Sequence, residues 1–330
     1  MIRPEAPAVR CIICKTNLKL VTPFLIKING TFGAVDFEGD VIIPSPCVSG
    51  SFDASKSAVF AFDHKHALVV HIPQAGKHVI CEKPKKFIDE GAVEEILNVR
   101  CTYLQSWSAD PDSPLSWRFQ KEIAGAGTLG DIASHVIDIA QYLAGDIDEV
   151  VSMVKTYIKE RPVQEGGVDL LGTVKLGAEA PRKEVDVDDE DAFLVKFKSG
   201  AVGSIEATRN AWGRNNFITV ELHGTKGSIA FNYERLNELQ VCFADDPDDR
   251  RGFKTIYTGP AHFHGEVTWN IPGMNIGYGE LKTIEMYEFI KAIAEGYQPS
   301  TSFGVGYRVE RVCDAVMKSA DTRQRVKVED

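Results

Sequence analysis

Between Asp191 and Ala244, apolar and polar residues alternate in DAFLVKFKSGAVGSIEATRN, FITVELHGTKGSIAFNY and ELQVCFA. Turns fall at Ser199-Gly200 and between Gly224 and Gly227. A period of two with glycine punctuation suits neighbouring strands that bury one face, and no helix satisfies it. Two longer segments follow. ELKTIEMYEFIKAIAEGY sets Ile284, Tyr287, Ile290/Lys291 and Ala294 at helical spacing and ends at Gly296, and GYRVERVCDAVMKSADT repeats the pattern. Strands followed by helices predict an α+β domain on an open, mainly antiparallel sheet with helices on one face.

Upstream the character differs. Residues 1 to about 66 hold short apolar runs broken by Pro, Gly and Ser, with no long helical pattern. HALVVHIPQAGKHVICEKP then reads as a helix entering a buried strand whose polar end is Glu82-Lys83-Pro84. In α/β sheets ligands collect at such strand ends. KKFIDEGAVEEI reads as a helix, ILNVRCTYLQSW and EVVSMVKTYI as strands, and residues 159–190 as a long surface loop. The fold class is therefore α/β plus α+β. Residues 1–84 form a truncated or degenerate Rossmann-like part, and residues 85–330 form the second domain.

A net charge of −10 excludes a general nucleic-acid or anionic-membrane surface, and no apolar run approaches a membrane span. Seven cysteines without framework spacing read as reduced thiols in a cytoplasmic protein, and the N-terminus lacks the pattern of a signal peptide. Cys11-x-x-Cys14 lacks a second ligand pair, and His262-x-His264 lacks a third ligand, so no metal is expected.

AGAGTLGDIASHVIDIAQYLAG, residues 124–145, spells Gly125-x-Gly127-x-x-Gly130. A dinucleotide fingerprint needs a buried strand before it and an acid about 20 residues later, and neither is present. The glycines read instead as a flexible approach to a helix. On that helix Ile132, Val136, Ile139, Ala140 and Leu143 share an apolar stripe, while Asp131, His135 and Asp138 share a polar strip. Taken alone, Asp131 reads equally well as a first-turn capping acid with His135 its solvated partner. Lys83 adds a third group. A lysine, an aspartate and a histidine in one cleft are the parts needed to oxidise a secondary alcohol, with hydride passing to a cofactor.

AGKHVICEKP followed by AGAGTLGDIASHVIDIAQYLAG resembles the glucose–fructose oxidoreductase and inositol dehydrogenase family, Gfo/Idh/MocA. The likeness runs from about residue 66 to the end and is greatest to sugar-oxidising members. It implies an NAD(P)-dependent oxidoreductase of a sugar or polyol, with NAD or NADP as cofactor and a homo-oligomer, dimer or tetramer, as the assembly. It assigns Lys83, Asp131 and His135 to catalysis and substrate binding, and Glu82, Lys83 and Pro84 to the cofactor side. Trp117, Arg118, His264 and Tyr278 become cleft residues, Trp117 and Arg118 towards the cofactor and Tyr278 towards the substrate.

The family opens on strand–GxGxxG–helix, which residues 1–65 lack. The nearest candidate, Gly30-x-x-Gly33, has neither the third glycine nor the helix. A six-stranded dinucleotide sheet needs roughly 150 residues, and only 84 lead to the end of CEKP. Two readings stay open, a degenerate cofactor domain or a misassembled gene product. Beside the dehydrogenase stands a catalytically silent relative that keeps the sheet for oligomerisation or sugar binding.

Overall fold

A computed structural model describes residues 24–28, 31–35, 41–48, 84–163, 179–262, 264–265, 271, 273–297 and 301–329. The chain forms two compact units: Met1–Pro73 with Ile290–Tyr297, and Gln74–Phe289 with Gln298–Asp330. In the first unit, β1 (Phe24–Ile28), β2 (Thr31–Val35) and β3 (Val41–Val48) pair antiparallel in that order. The connections are too short for the crossover that parallel strands require, so these strands form a meander and not a βαβ unit. Gly33 lies inside β2 opposite Ile26.

The second unit is built on a nine-stranded sheet. Its strands are β4 (Ile96–Leu104), β5 (Ile147–Lys155), β8 (Glu190–Phe197), β9 (Val202–Thr208), β10 (Phe217–Gly224), β11 (Gly227–Asn232), β12 (Glu238–Phe243), β13 (Lys254–Tyr257) and β14 (Val326–Lys327). Their order is β13-β12-β11-β10-β4-β9-β8-β5-β14. Every pair is antiparallel except β4–β9, which is parallel. The alternation that begins at Asp191 becomes β8 and β9, with Phe193, Val195, Phe197 and Ile205 buried and Leu194 and Val202 exposed. Ser199-Gly200 and Thr225-Lys226 occupy the two turns.

The helices cover one face. α3 (Ser134–Ala144) and α5 (Phe303–Thr322) bring Val136, Ile137, Ala140, Val309, Val312 and Val316 onto Val99, Cys101, Phe193 and Ile205. The opposite face carries exposed Leu97, Val151, Met153, Leu194 and Val202. Among the described residues no helix is long and apolar enough to cross a membrane.

Three expectations change. The helix expected over KKFIDEGAVEEI covers only residues 84–89 (α1), because Gly91 turns the chain at φ 76° and Val93 is buried in the turn before β4. Residues 159–190 are not simply a surface loop. β6 (Glu160–Pro162) and β7 (Arg182–Glu184) form a hairpin, Arg161 is fully buried, and Asp188 and Asp189 are core residues. On α4 (Tyr278–Glu295) the buried line is Leu281, Ile284 and Glu285, while Ile290 is exposed.

Two buried thiols give a direct check. Cys101 and Cys313 lie in the core, and burial pushes the Cys101 thiol up to about 12. The thiolate is the reactive form, so native protein treated with iodoacetamide should leave both unmodified in peptide mapping. Labelling of either before unfolding would contradict this packing.

Candidate active site

The site grows from the segment that carries the three glycines. α2 (Lys121–Ala124) ends at Gly125, whose φ is 77°. The chain then meets Asp188. Its carboxylate accepts the amide N–H groups of Gly127 at 2.8 Å and Leu129 at 2.6 Å, and its carbonyl accepts Thr128 N–H at 3.1 Å. The Thr128 hydroxyl donates to the Asp189 carbonyl at 2.9 Å. The approach is therefore pinned, not flexible. Gly127 is glycine for space, since a Cβ there would lie 2.0 Å from the Asp188 carbonyl oxygen. These amides are the donors a pyrophosphate would use, and they already hold a carboxylate. Asp188 also does the capping work that the sequence allowed Asp131 to do.

A single π-helical turn, Leu129–Ala133, follows and runs into α3. Such turns recur at functional sites because the extra residue re-aims its neighbours. Ile132, Val136, Ile139, Ala140 and Leu143 are all buried, matching the apolar stripe. Asp131 and His135 are half-buried, whereas Asp138 is buried within the core.

Both groups stand near the carboxyl ends of β4 and β9, the parallel pair. From β4, the Tyr103 ring lies 5.9 Å from the His135 ring. The Tyr103 hydroxyl donates to Asn216 Oδ1 at 2.6 Å and accepts from Gln105 Nε2 at 2.9 Å, while Trp107 Nε1 donates to Gln105 Oε1 at 2.7 Å. Burial first, then the charge of Asp131, push the Tyr103 phenol far up. Burial and Tyr278 raise Tyr233 to about 12. Both phenols therefore stay protonated as hydroxyl donors. Tyr278, in the first turn of α4, lies near enough to Tyr103 and Tyr233 to act on both phenols.

From β9, Arg209 Nη1 donates to Asp131 Oδ2 at 3.3 Å. Beneath it lies an acid pair. Asp191 is fully buried, and burial followed by Asp188 lifts its carboxyl well above the ordinary 3.8. A raised folded value means that stability is greatest below the ordinary value and falls as pH rises through the folded one. Asp191→Asn keeps the size of the side chain and removes the group that can ionise. Denaturation midpoints across pH should therefore be flatter than wild type, with no loss at neutral pH. A steep loss there would mean that Asp191 is charged in the fold.

The remaining sequence candidates distribute as follows. Glu82 and Lys83 lie outside the described residues, as do Cys11 and Cys14, and Pro84 is buried at the start of α1. Trp117 and Arg118 stack on each other, with 4.5 Å from guanidinium to ring centre. No hydrogen bond or ring contact joins them to Asp131 or His135. His264 Nδ1 is 3.6 Å from Glu288, and the described residues contain no group of three potential metal ligands. The sequence reading missed Tyr103, Gln105, Arg209, Asn216 and Asp188. A signal existed for Arg209, a lone cation ending an alternating strand, but the parallel β4–β9 pairing that gives it meaning joins residues about a hundred positions apart.

Residues 82–230 match the GFO/IDH/MocA C-terminal domain. Levoglucosan dehydrogenase of Pseudarthrobacter phenanthrenivorans is 53% identical over 296 residues, 78% of this chain and 76% of that protein. The chain belongs to the Gfo/Idh/MocA family of oxidoreductases. Myo-inositol 2-dehydrogenase of Thermotoga maritima is 24% identical over 80% of this chain and 76% of its own length. Among solved structures, levoglucosan dehydrogenase in complex with NADH and levoglucosan aligns with TM-score 0.70 and 54% identity, covering 78% of this chain and 64% of that one. The chain thus spans less than two thirds of the solved relatives it matches. The resemblance read from the two motifs is borne out at the level of the family and of the mainly antiparallel sheet.

Proposed function

We propose that the protein oxidises a secondary hydroxyl of a sugar or polyol, passing hydride to a nicotinamide cofactor. The observation that carries the reading is the pinned π turn, which presents Asp131 and His135 beside the Tyr103–Gln105–Asn216 hydrogen-bonded chain. A sugar offers several hydroxyls to such a surface, each able to donate and accept. In this reading His135 takes the hydroxyl proton, and Asp131 accepts from the substrate and keeps it oriented. Lys83, by resemblance, supports the developing alkoxide. Bound nicotinamide supplies the hydride acceptor, which no side chain can. The levoglucosan dehydrogenase complexes contain NADH, and two of them contain levoglucosan or L-sorbose, which favours NAD and a pyranose-like substrate.

The amides of Gly127 and Leu129 are taken by Asp188, so this Gly-x-Gly-x-x-Gly segment is not where a cofactor's pyrophosphate would sit. The absence of a strand–GxGxxG–helix signature from residues 1–65 favours a second reading, a silent relative that binds sugar without turnover. Incubating the full chain with NAD or NADP and a panel of pyranoses and polyols decides between them. Growth of reduced-nicotinamide absorbance supports the dehydrogenase. Calorimetric sugar binding with no nicotinamide binding supports the silent relative, and binding of neither ends both.

The exposed apolar positions on the open sheet face support a homo-oligomer joined there, and the reduced thiols support a cytoplasmic location. Sedimentation equilibrium should find an assembly that Met153→Asp weakens. A wild-type monomer at high concentration would rule it out.

A further inference from the structure

We infer that Arg209 is a positioning residue for the proposed hydroxyl oxidation, acting through Asp131. The side chain is fully buried and cannot meet substrate itself. Nη1 donates to Asp131 Oδ2 at 3.3 Å and Nη2 to the Asp188 carbonyl at 3.3 Å. The guanidinium lies 5.1 Å from the Trp107 ring centre and 5.4 Å from that of Phe119. Its own carbonyl accepts from the Ser108 amide at 3.2 Å and the Ser108 hydroxyl at 3.1 Å, which fixes the base of the side chain.

The consequence follows from charge in a dry place. A buried cation needs compensating anions: Arg209 makes its ion pair with Asp131, and the buried Asp191 also lies within its field. Asp131 keeps about a quarter of its side chain exposed. One of its oxygens is held from behind and the other is left for a substrate hydroxyl. Asp188 closes the frame, since it takes the Arg209 bond on its carbonyl and the amides of the Asp131 turn on its carboxylate. Sheet and helix thus fix the same carboxylate from two sides.

This inference rests on the dehydrogenase reading, and the experiment separates the two. Steady-state kinetics are measured for wild type, Arg209→Lys, Arg209→Met, Asp131→Asn and the Arg209→Met/Asp131→Asn pair, with Arg325→Met on the distant β14 side as control. The expected result is a kcat loss of roughly 100-fold in Arg209→Met with KM little changed, the size of a small misplacement. Arg209→Lys should recover part of it, because an ammonium restores charge but not the fork. The double variant should be no slower than Asp131→Asn alone. Wild-type kcat in Arg209→Met, or a loss that multiplies with that of Asp131→Asn, overturns the role. If Arg209→Met does not fold, Arg209→Lys decides by the same split of kcat from KM. A wild-type chain without turnover ends the dehydrogenase reading, and this role with it.

Discussion

Gly127→Ala is expected to unfold the site before any chemistry is measured. The added methyl would sit 2.0 Å from a backbone oxygen, that of Asp188, which cannot swing away as a flexible side chain would. The chain must open the turn, and opening it separates the Gly127 and Leu129 amides from the Asp188 carboxylate. Overpacking costs ~1–3 kcal/mol, and each charged hydrogen bond lost adds about 1.5–3 kcal/mol. A fall of about 3 kcal/mol or more in unfolding free energy should appear in denaturant titration. Gly304→Ala in α5, where the nearest heavy atom is the Ser302 hydroxyl at 3.6 Å, should be neutral or better. Wild-type stability in Gly127→Ala would mean that the turn and Asp188 do not meet as described.

His135→Gln is expected to leave the fold intact and remove most of the turnover. The imidazole stands at a half-buried position beside Tyr103, and the stripe that holds α3 to the sheet does not include it. Loss of a positioned general base costs roughly 10²–10⁴-fold in rate. The check is the initial rate of reduced-nicotinamide formation with the best sugar, alongside a thermal midpoint within a degree or two of wild type. Asn98→Ala, which removes a hydrogen bond to the Val202 carbonyl on the sheet, should keep the rate. A His135→Gln enzyme within a few-fold of wild type would assign the proton to another group.

Much of the second unit was legible because its signals are local. Alternation in DAFLVKF and VGSIEAT requires only neighbouring residues, and the strands formed where the pattern placed them. The stripe through Ile132, Val136, Ile139, Ala140 and Leu143 was equally local, and all five side chains are buried. Residues 159–190 failed because their order comes from distance. Arg161 is buried by accepting carbonyls of Asp110 and Ser108 and by the Phe119 ring, about 50 residues earlier. Charged, aperiodic sequence looks like a loop until its partners are known. The glycines misled in a similar way. Their letters suggested freedom of the backbone, while Gly127 serves a close approach that Asp188, about 60 residues later, imposes.

By itself the sequence determined the family, through CEKP and the Asp131–His135 spacing, and the antiparallel character of the sheet, through period-two burial. Tertiary structure alone decided what surrounds Asp131. Arg209 bonds it, Asp188 pins the turn that carries it and Tyr103 lies within its field, and only the parallel β4–β9 pairing in an otherwise antiparallel sheet brings the strand ends of Tyr103 and Arg209 together. The physical reason is that helical and strand periods are properties of neighbours along the chain. The compensation of a buried charge is a property of neighbours in space.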